Sequence, residues 1–446
     1  MTLPEGWAET TIAEAASINP KHAPDTDRNQ RVSFIPMPAV DEHLGAIVEN
    51  AERILADVWT GYTHFADGDV IFAKITPCME NGKAAIARGL TGGIACGSTE
   101  FYVLRPANGI SADYLWRFVR QPSFRAEAET RMTGAVGQRR VPRDYLESHP
   151  LPLPPEAEQR RILAKLDALT ARLARARAEL DRASVLAERL RQNVLSDVFR
   201  PLNISTAPLG DLLEDVRYGT AQKCDYGAGI SPVLRIPNIQ RGKIDLSDLK
   251  SANFDDREIA RLSLREGDVL VIRSNGSLDL VGRSAVVAVD AVGMLYAGYL
   301  IRLRPTPSKL LPVFLHYFLA SPGVRQALVG AAKSTSGVNN VNSQELQALK
   351  VPLLPLEDQE RAVTRIAMAF ARADRVEADA ARARALIDRL ESSILAKAFR
   401  GELVPQDPND EPASVLLDRI RTQRAAAPKA KRARHGVSEP NLEMAK

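Results

Sequence analysis

The chain has 446 residues, 45% hydrophobic and 26% charged, which is ordinary globular usage that excludes wholesale disorder and, at this length, points to at least two cores. Its 59 Lys and Arg against 55 Asp and Glu leave a formal charge of +4, which permits a nucleic-acid face without demanding one. Cys78, Cys96 and Cys224 are too few and too scattered for a zinc knuckle, a redox pair or a disulfide framework, so a reducing compartment is expected.

In chain order, the opening Met1-Thr2-Leu3-Pro4-Glu5-Gly6-Trp7 has neither a basic nor an apolar run and is not read as a secretory signal. Asp69-Val70-Ile71-Phe72-Ala73, after a Gly-Asp turn, and Phe101-Tyr102-Val103-Leu104, stopped by Arg105-Pro106, read as short strands. A helix is predicted over Ala112–Arg120, ended near Gln121-Pro122. Between residues 157 and 200 there is no Gly or Pro. Within that stretch Ile162, Leu166, Leu169, Leu173, Ala176, Leu180, Ala183, Ala187, Leu190 and Val194 follow alternating steps of four and three, the seam of a coiled coil. At about 1.5 Å per residue, such a rod is roughly 66 Å long.

The second half then repeats the first. Shifted by 200 positions, Pro152-Leu153, Pro155, Gln159, Arg161, Leu195 and Phe199-Arg200 fall on Pro352-Leu353, Pro355, Gln359, Arg361, Leu395 and Phe399-Arg400. At a shift of 199, Gly68-Asp69-Val70 and Arg105-Pro106 fall on Gly267-Asp268-Val269 and Arg304-Pro305. The second copy has its own strands at Asp268–Ile272 and Tyr299–Leu303 and its own helix at Pro312–Ala320. Its rod has a seam at Ile366, Ala369, Ala373, Val376, Ala380, Ala383, Ile387, Leu390 and Ile394. The longest apolar stretch, Ala291 to Ile301, is about half of a bilayer span and is closed by Asp290 and Arg302, so a cytoplasmic chain with no membrane is expected.

The fold class read from this is α+β: two tandem α/β heads and two long helices pairing as an antiparallel coiled coil, with a pseudo-twofold internal repeat. The boundaries are a first head over 1–150, a long helix over 151–202, a second head over 203–350, a long helix over 351–403 and an extension over 404–446.

Local motifs of catalysis are missing. There is no Gly-x-x-x-x-Gly-Lys-Ser/Thr loop, and Gly227-Ala228-Gly229 lacks the third glycine of a dinucleotide site. Pro154-Pro155 is followed by Glu156, so the Asn/Asp-Pro-Pro-aromatic turn of an amino-methyltransferase is absent. Asp248-Leu249-Lys250 has the ending of a metal-dependent nuclease, but the only Pro-Asp, Pro24-Asp25, lies far upstream. The six histidines form no metal pair and no triad, and read as surface or packing residues. No catalytic residue and no metal site is expected.

What remains is material for binding. In the first head, Lys74, Thr76, Asn81 and Lys83 lie in the turn after the paired strand, and Gln138, Arg139 and Arg140 in a Gly-bounded loop before the rod. In the second head the corresponding turns hold Arg273, Ser274, Asn275 and Arg283, then Asn339 and Asn340, and a further polar turn holds Tyr218 and Thr220. Lys and Arg can hold phosphate or guanine, and Asn can pair with adenine, so these loops have the chemistry to read a groove. Solvated hairpins and flexible connectors have the same composition. The loops differ between heads where the framework agrees, which is what two different target sequences would require.

The layout resembles the specificity subunit of type I restriction-modification enzymes. The resemblance is carried by the two-copy plan and by the tracts Leu151-Pro152-Leu153-Pro154-Pro155-Glu156-Ala157-Glu158-Gln159 and Val351-Pro352-Leu353-Leu354-Pro355-Leu356-Glu357-Asp358-Gln359. The rods after them and Ala398-Phe399-Arg400-Gly401-Glu402-Leu403-Val404-Pro405-Gln406-Asp407-Pro408 complete it. It implies that each head is a target-recognition domain reading one half of a split, asymmetric target in double-stranded DNA. It also implies that the rods set the gap and dock two modification (methyltransferase) subunits and, where a nuclease is part of the complex, two restriction subunits. This chain would bind no cofactor; S-adenosylmethionine, ATP and magnesium would belong to the partners.

Two readings compete with a noncatalytic DNA-specificity subunit: a coiled-coil scaffold whose heads bind protein or small ligands, and a hydrolase with an unrecognised site. From Arg419 to His435 there are seven Lys and Arg and no acid, read as a solvated extension or a basic arm near DNA. Val415-Leu416-Leu417 and Ile420 read as a short helix docking on a partner or rod.

Overall fold

A computed structural model describes residues 3–200, 204–240, 242–331, 333–335 and 338–426. It divides into two compact units, Met1–Arg177 with Ala385–Lys446 and Ala178–Arg384. The division falls within both long helices, Glu156–Val198 (the first rod) and Leu356–Phe399 (the second rod), so each unit holds a stretch of each.

In the first unit, the Val70–Ala73 and Phe101–Pro106 strands pair antiparallel at the centre of a four-stranded sheet flanked by Ala84–Ile86 and Ala16–Ile18. A second sheet runs Ala51–Ile54, Arg31–Ile35, Ile94–Gly97, Thr63–Ala66, and its middle pair is parallel. The second unit rebuilds the first sheet as Leu213–Tyr218, Leu300–Pro305, Val269–Ile272, Ser284–Val286. Its counterpart of the second sheet is shorter, Lys250–Ala252, Ser231–Leu234, Leu295–Tyr296, again with one parallel pair. The strands read from sequence lie in the central pairs because apolar runs such as Val269–Ile272, buried at every position, fit only between covered faces.

The repeated residues are the ones that join head to rod. Gln159 and Gln359 are almost wholly buried, and their Oε1 atoms accept from Ser111 N at 3.0 Å and Leu311 N at 2.9 Å. Each amide also donates to the carbonyl five residues before it, Pro154 O or Leu354 O, so one side chain ties the start of a rod to the start of a head helix. At the other ends, Phe399 packs on Tyr114 and Phe118 at 5.0 and 5.5 Å, and Phe199 on Phe314 and Phe318 at 5.1 and 5.7 Å. The predicted helices Ala112–Arg120 and Pro312–Ala320 are the receptors of these rings.

The rods pair antiparallel: in the second unit Asp181 meets Arg384 while Arg191 meets Glu377 and Asp374. Of the expected seam, Ile162, Leu166, Leu173, Val194 and Ile366 are buried, and Leu169, Leu180, Ile387 and Ile394 half-buried. Leu190, Val376 and Leu390 are 36%, 37% and 50% exposed. Buried alanines at 187, 373 and 380 let the backbones approach closely, which leaves the larger neighbours on the rim.

The helix expected near Val415 runs Ala413–Ala426, and its Ala413, Leu416, Leu417 and Ile420 join the core of the first unit with Trp7, Ile12, Leu151 and the rod residue Ile162. Arg421 pairs with Glu14 at 3.1 Å. The rest of the basic tail, after Ala426, lies outside the described residues.

Candidate nucleic-acid interface

In the second unit, the segment expected as a turn after Val269–Ile272 continues as a short strand, Ser274–Asn275, paired with Val338–Asn340. Backbone hydrogen bonding to a neighbouring hairpin strand, Lys333–Thr335, extends what composition suggests is loop; Ser336 and Gly337 at its tip lie outside the described residues. The pairing puts Ser274 beside Asn340 and Asn275 beside Asn339. Arg273 Nε donates to Asn340 Oδ1 at 3.1 Å, and its guanidinium lies 4.7 Å above the Tyr218 ring, whose hydroxyl accepts from Ser343 N at 2.8 Å. Asn339 Nδ2 donates to Gly276 O at 3.1 Å, and Asn275 Oδ1 accepts from Ser277 N at 2.8 Å. Tyr218, Arg273, Ser274, Asn275, Asn339 and Asn340 are therefore one cluster. Arg283 is apart from it, donating to Asp279 O at 2.8 Å, and Thr220 is buried with its hydroxyl accepting from Gln222 N at 3.0 Å.

Beside this cluster lies a groove of about 670 Å³ whose walls include Thr220, Lys223, Arg235, Lys250, Arg273 and Tyr299. Arg235 pairs with Asp248 at 3.0 Å and Lys250 with Asp225 at 3.1 Å, and both cations flank the exposed Tyr226 ring, at 5.8 and 4.9 Å. The Lys250 ammonium holds the Asp225 carboxyl below its ordinary range, and bonds from Tyr226 and Arg235 do the same for Asp248. Lys250 is thus taken up by an ion pair with Asp225 and Asp248 by one with Arg235. Among the described residues Lys223 and Arg273 form no salt bridge, so the groove has two cations without a salt-bridged carboxylate. Lys223, Tyr226 and Tyr299 were not marked as binding residues in the sequence, and Lys250 only as part of the Asp248-Leu249-Lys250 tract, because the segments that carry them are gathered only by the fold.

The first unit brings its two loops together as well: Thr76 N donates to Arg139 O at 3.0 Å and Val141 N to Lys74 O at 2.9 Å. Here the two arginines are balanced by carboxylates. Arg140 forms a fork with Glu100 at 2.9 and 2.8 Å, which lowers the carboxyl's pKa, and donates to Gln138 O. Arg139 lies 3.6 Å from Glu80, which also accepts from the Thr76 hydroxyl at 3.0 Å. Lys74 Nζ sits 5.3 Å over the Tyr102 ring. Asn81 and Lys83 turn away toward Glu42 and the Met37 carbonyl, at 3.3 and 3.4 Å. Gln138 and Val136 are exposed at the loop tip.

The first unit also gathers His22, His64 and Cys96, all buried, which the sequence did not suggest. Burial lowers both imidazole pKa values and pushes the thiol up to about 11. His22 Nε2 donates to Ala95 O at 3.0 Å and His64 Nε2 to Trp59 O at 2.8 Å, while His64 Nδ1 accepts from His22 N at 3.3 Å. The rings are stacked 4.5 Å apart and one ligand atom from each of the three residues lies within 4.8 Å of the others, while both Nε2 atoms are already engaged by backbone carbonyls. The equivalent positions 199 residues on hold Ala221, Ser263 and Leu295.

Residues 4–181 match the family described as "Type I restriction modification DNA specificity domain". Over 352 residues the chain is 31% identical to the Escherichia coli K12 type I restriction enzyme EcoKI specificity subunit, covering 73% of this chain and 74% of that one. The chain belongs to the family of type I restriction enzyme specificity subunits. Another specificity subunit, of EcoEI from Escherichia coli, is 44% identical over 168 residues, but that match spans only 37% of this chain and 28% of its relative. In fold, this specificity subunit is similar to the HsdS subunit from Thermoanaerobacter tengcongensis, with a TM-score of 0.62 at 24% identity over 90% of this chain and 99% of the other. It is likewise similar to a chain from a study of complex assembly in the type I R-M system, with a TM-score of 0.73 at 24% identity over 90% of this chain and 100% of that one. Among the described residues no helix is long and apolar enough to cross a membrane.

Proposed function

We propose that this specificity subunit reads a bipartite, asymmetric target in double-stranded DNA, one half through each head, and brings it to two modification subunits docked on the rods. A restriction form would add two restriction subunits. The observation that carries the reading is a fixed frame with divergent edges. The same buried Asp-Arg and Gln contacts recur in both units, yet the loops above them present Arg139 and Arg140 in one and Asn339 and Asn340 in the other. Guanidinium and amide groups differ in the base edges they match, so two such edges suit two unlike half-sites. Lys223 and Arg273, which form no salt bridge, would hold backbone phosphate beside the bases read by Asn275, Asn339 and Asn340. In this reading the chain is not catalytic by itself and works in the cytoplasm. Adenine methylation and cleavage would belong to the partners, with S-adenosylmethionine, ATP and magnesium.

The test is co-expression with the cognate modification subunit, followed by single-molecule mapping of methylated adenines across a genome. A split motif with a fixed gap, lost when this chain is omitted, supports the reading. A stable complex that leaves no motif would overturn it.

A further inference from the structure

Arg177 and Glu377 stand at equivalent positions of the two rods, as do Arg191 and Glu391, each pair 200 residues apart. In the first unit Arg177 Nη2 donates to Glu391 Oε2 at 2.6 Å and to Asp388 at 2.7 Å. In the second unit Arg191 makes two bonds to Glu377, both 2.8 Å, and one to Asp374 at 2.5 Å. These are one contact occurring twice through the repeat. Each time the arginine comes from the first rod and the carboxylates from the second.

We propose that this distribution of charge makes the two rods recognise each other rather than their own kind, and so disfavours pairing of either rod with the same rod of a second copy of the chain. The apolar seams cannot make that choice, because both rods have the same spacing of four and three and would accept a like partner in the same antiparallel register. Applied to two first rods, that register sets Arg177 against Arg191, with Glu188 the acid in reach. Applied to two second rods, it sets Glu377 and Asp374 against Glu391 and Asp388, four carboxylates without either arginine. The Arg191 side chain is 10% exposed, so water and salt screen its contacts weakly; Arg177, at 38%, contributes less. A duplicated chain needs such a device, since its halves are otherwise interchangeable, and unlike charges at the flanks of a seam are a general means of choosing partners.

Two double variants of the full chain test this, with sedimentation velocity over a range of concentrations and thermal melting as readouts. R191E/E391R leaves the net charge unchanged but gives each rod one arginine and one glutamate, so that like rods match and unlike rods clash. Its dimer association constant should exceed that of the unaltered chain by at least about tenfold, or its melting temperature should fall as the intrachain pair is lost. R191E/E377R also reverses Arg191 but keeps unlike rods matched, and should retain the mass and melting temperature of the unaltered chain, because intrachain pairing has the higher effective concentration. If R191E/E391R shows neither more dimer nor a lower melting temperature than R191E/E377R, the charges do not discriminate and the proposal fails. Loss of fold in R191E/E391R alone supports it, whereas equal loss in both variants overturns it.

Discussion

Arg105 closes a two-bond fork on Asp69, at 2.8 and 2.7 Å, and Arg304 closes the same fork on Asp268, at 2.6 and 2.7 Å. The second oxygen of each carboxylate also accepts a backbone N–H from the turn before it, Ala66 N or Arg265 N at 2.8 Å. Both aspartates are at most 2% exposed, and the forks raise the pKa of both arginines. The Gly-Asp-Val and Arg-Pro tracts that repeat along the sequence are thus the two ends of one contact, locking neighbouring strands of the central sheet. Asp268→Asn would leave the Arg304 guanidinium, 13% exposed, without its counter-charge, and should cost about 3 kcal/mol or more in urea unfolding. Asp69→Asn should cost less, because Arg105 is 40% exposed and can recover water.

The rings at the rod ends carry packing that the rim leucines do not. Phe399→Ala should lose about 3–5 kcal/mol, while Leu390→Ala, at a half-exposed site on the same helix, should stay within about 0.5 kcal/mol of the unaltered chain. Equal effects in chemical denaturation would show that the ring does not anchor the rod to the Ala112–Arg120 helix.

Burial pushes His316 down to about 4 from an ordinary 6.5, and its Nδ1 is 2.9 Å from the Ser284 hydroxyl. The folded pKa is depressed, so the unfolded chain binds the extra proton between these values. Its contribution to stability is complete above pH 6.5 and falls away as pH drops toward 4. Between pH 7 and 5 the loss should be about 2 kcal/mol. Unfolding of His316→Asn measured at both values should show that part of the pH dependence removed.

On DNA, Lys223 and Arg273 of the second unit, which form no salt bridge, should matter more than the paired arginines of the first. With the modification subunits bound, Lys223→Ala and Arg273→Ala should each lower the slope of log affinity against log salt by about 0.9 for every phosphate left without its cation. Arg140→Ala should change it less, since its charge is already matched by Glu100. Titrations at several salt concentrations on a duplex bearing the target decide between them.

Much of this was written in the chain. Alternating steps of four and three fix two rods, and apolar runs closed by Arg-Pro fix the central strands. A shift of 199 or 200 fixes the repeat, because helix, strand and turn signals are local and survive without knowledge of what they pack on. The same locality marked Arg273, Ser274, Asn275, Asn339 and Asn340 as polar turns, but could not show that the first and last of these meet across 67 residues. It also could not tell Arg140, spent on Glu100, from Arg273, which has no carboxylate partner. Which leucines of a seam are buried was equally beyond it, since Leu190 and Leu390 fit the spacing as well as Leu166 does.

The sequence by itself determined the elements, their duplication and the family, since these rest on periodicity and on residues repeated at fixed distance. Only the tertiary structure decided which cations form ion pairs, where the groove of Lys223, Arg235, Lys250 and Arg273 forms, and that His22, His64 and Cys96 meet. Those depend on strand register and chain crossings that bring distant residues within a few ångströms, and on the balance of charge and desolvation that exists only once they are there.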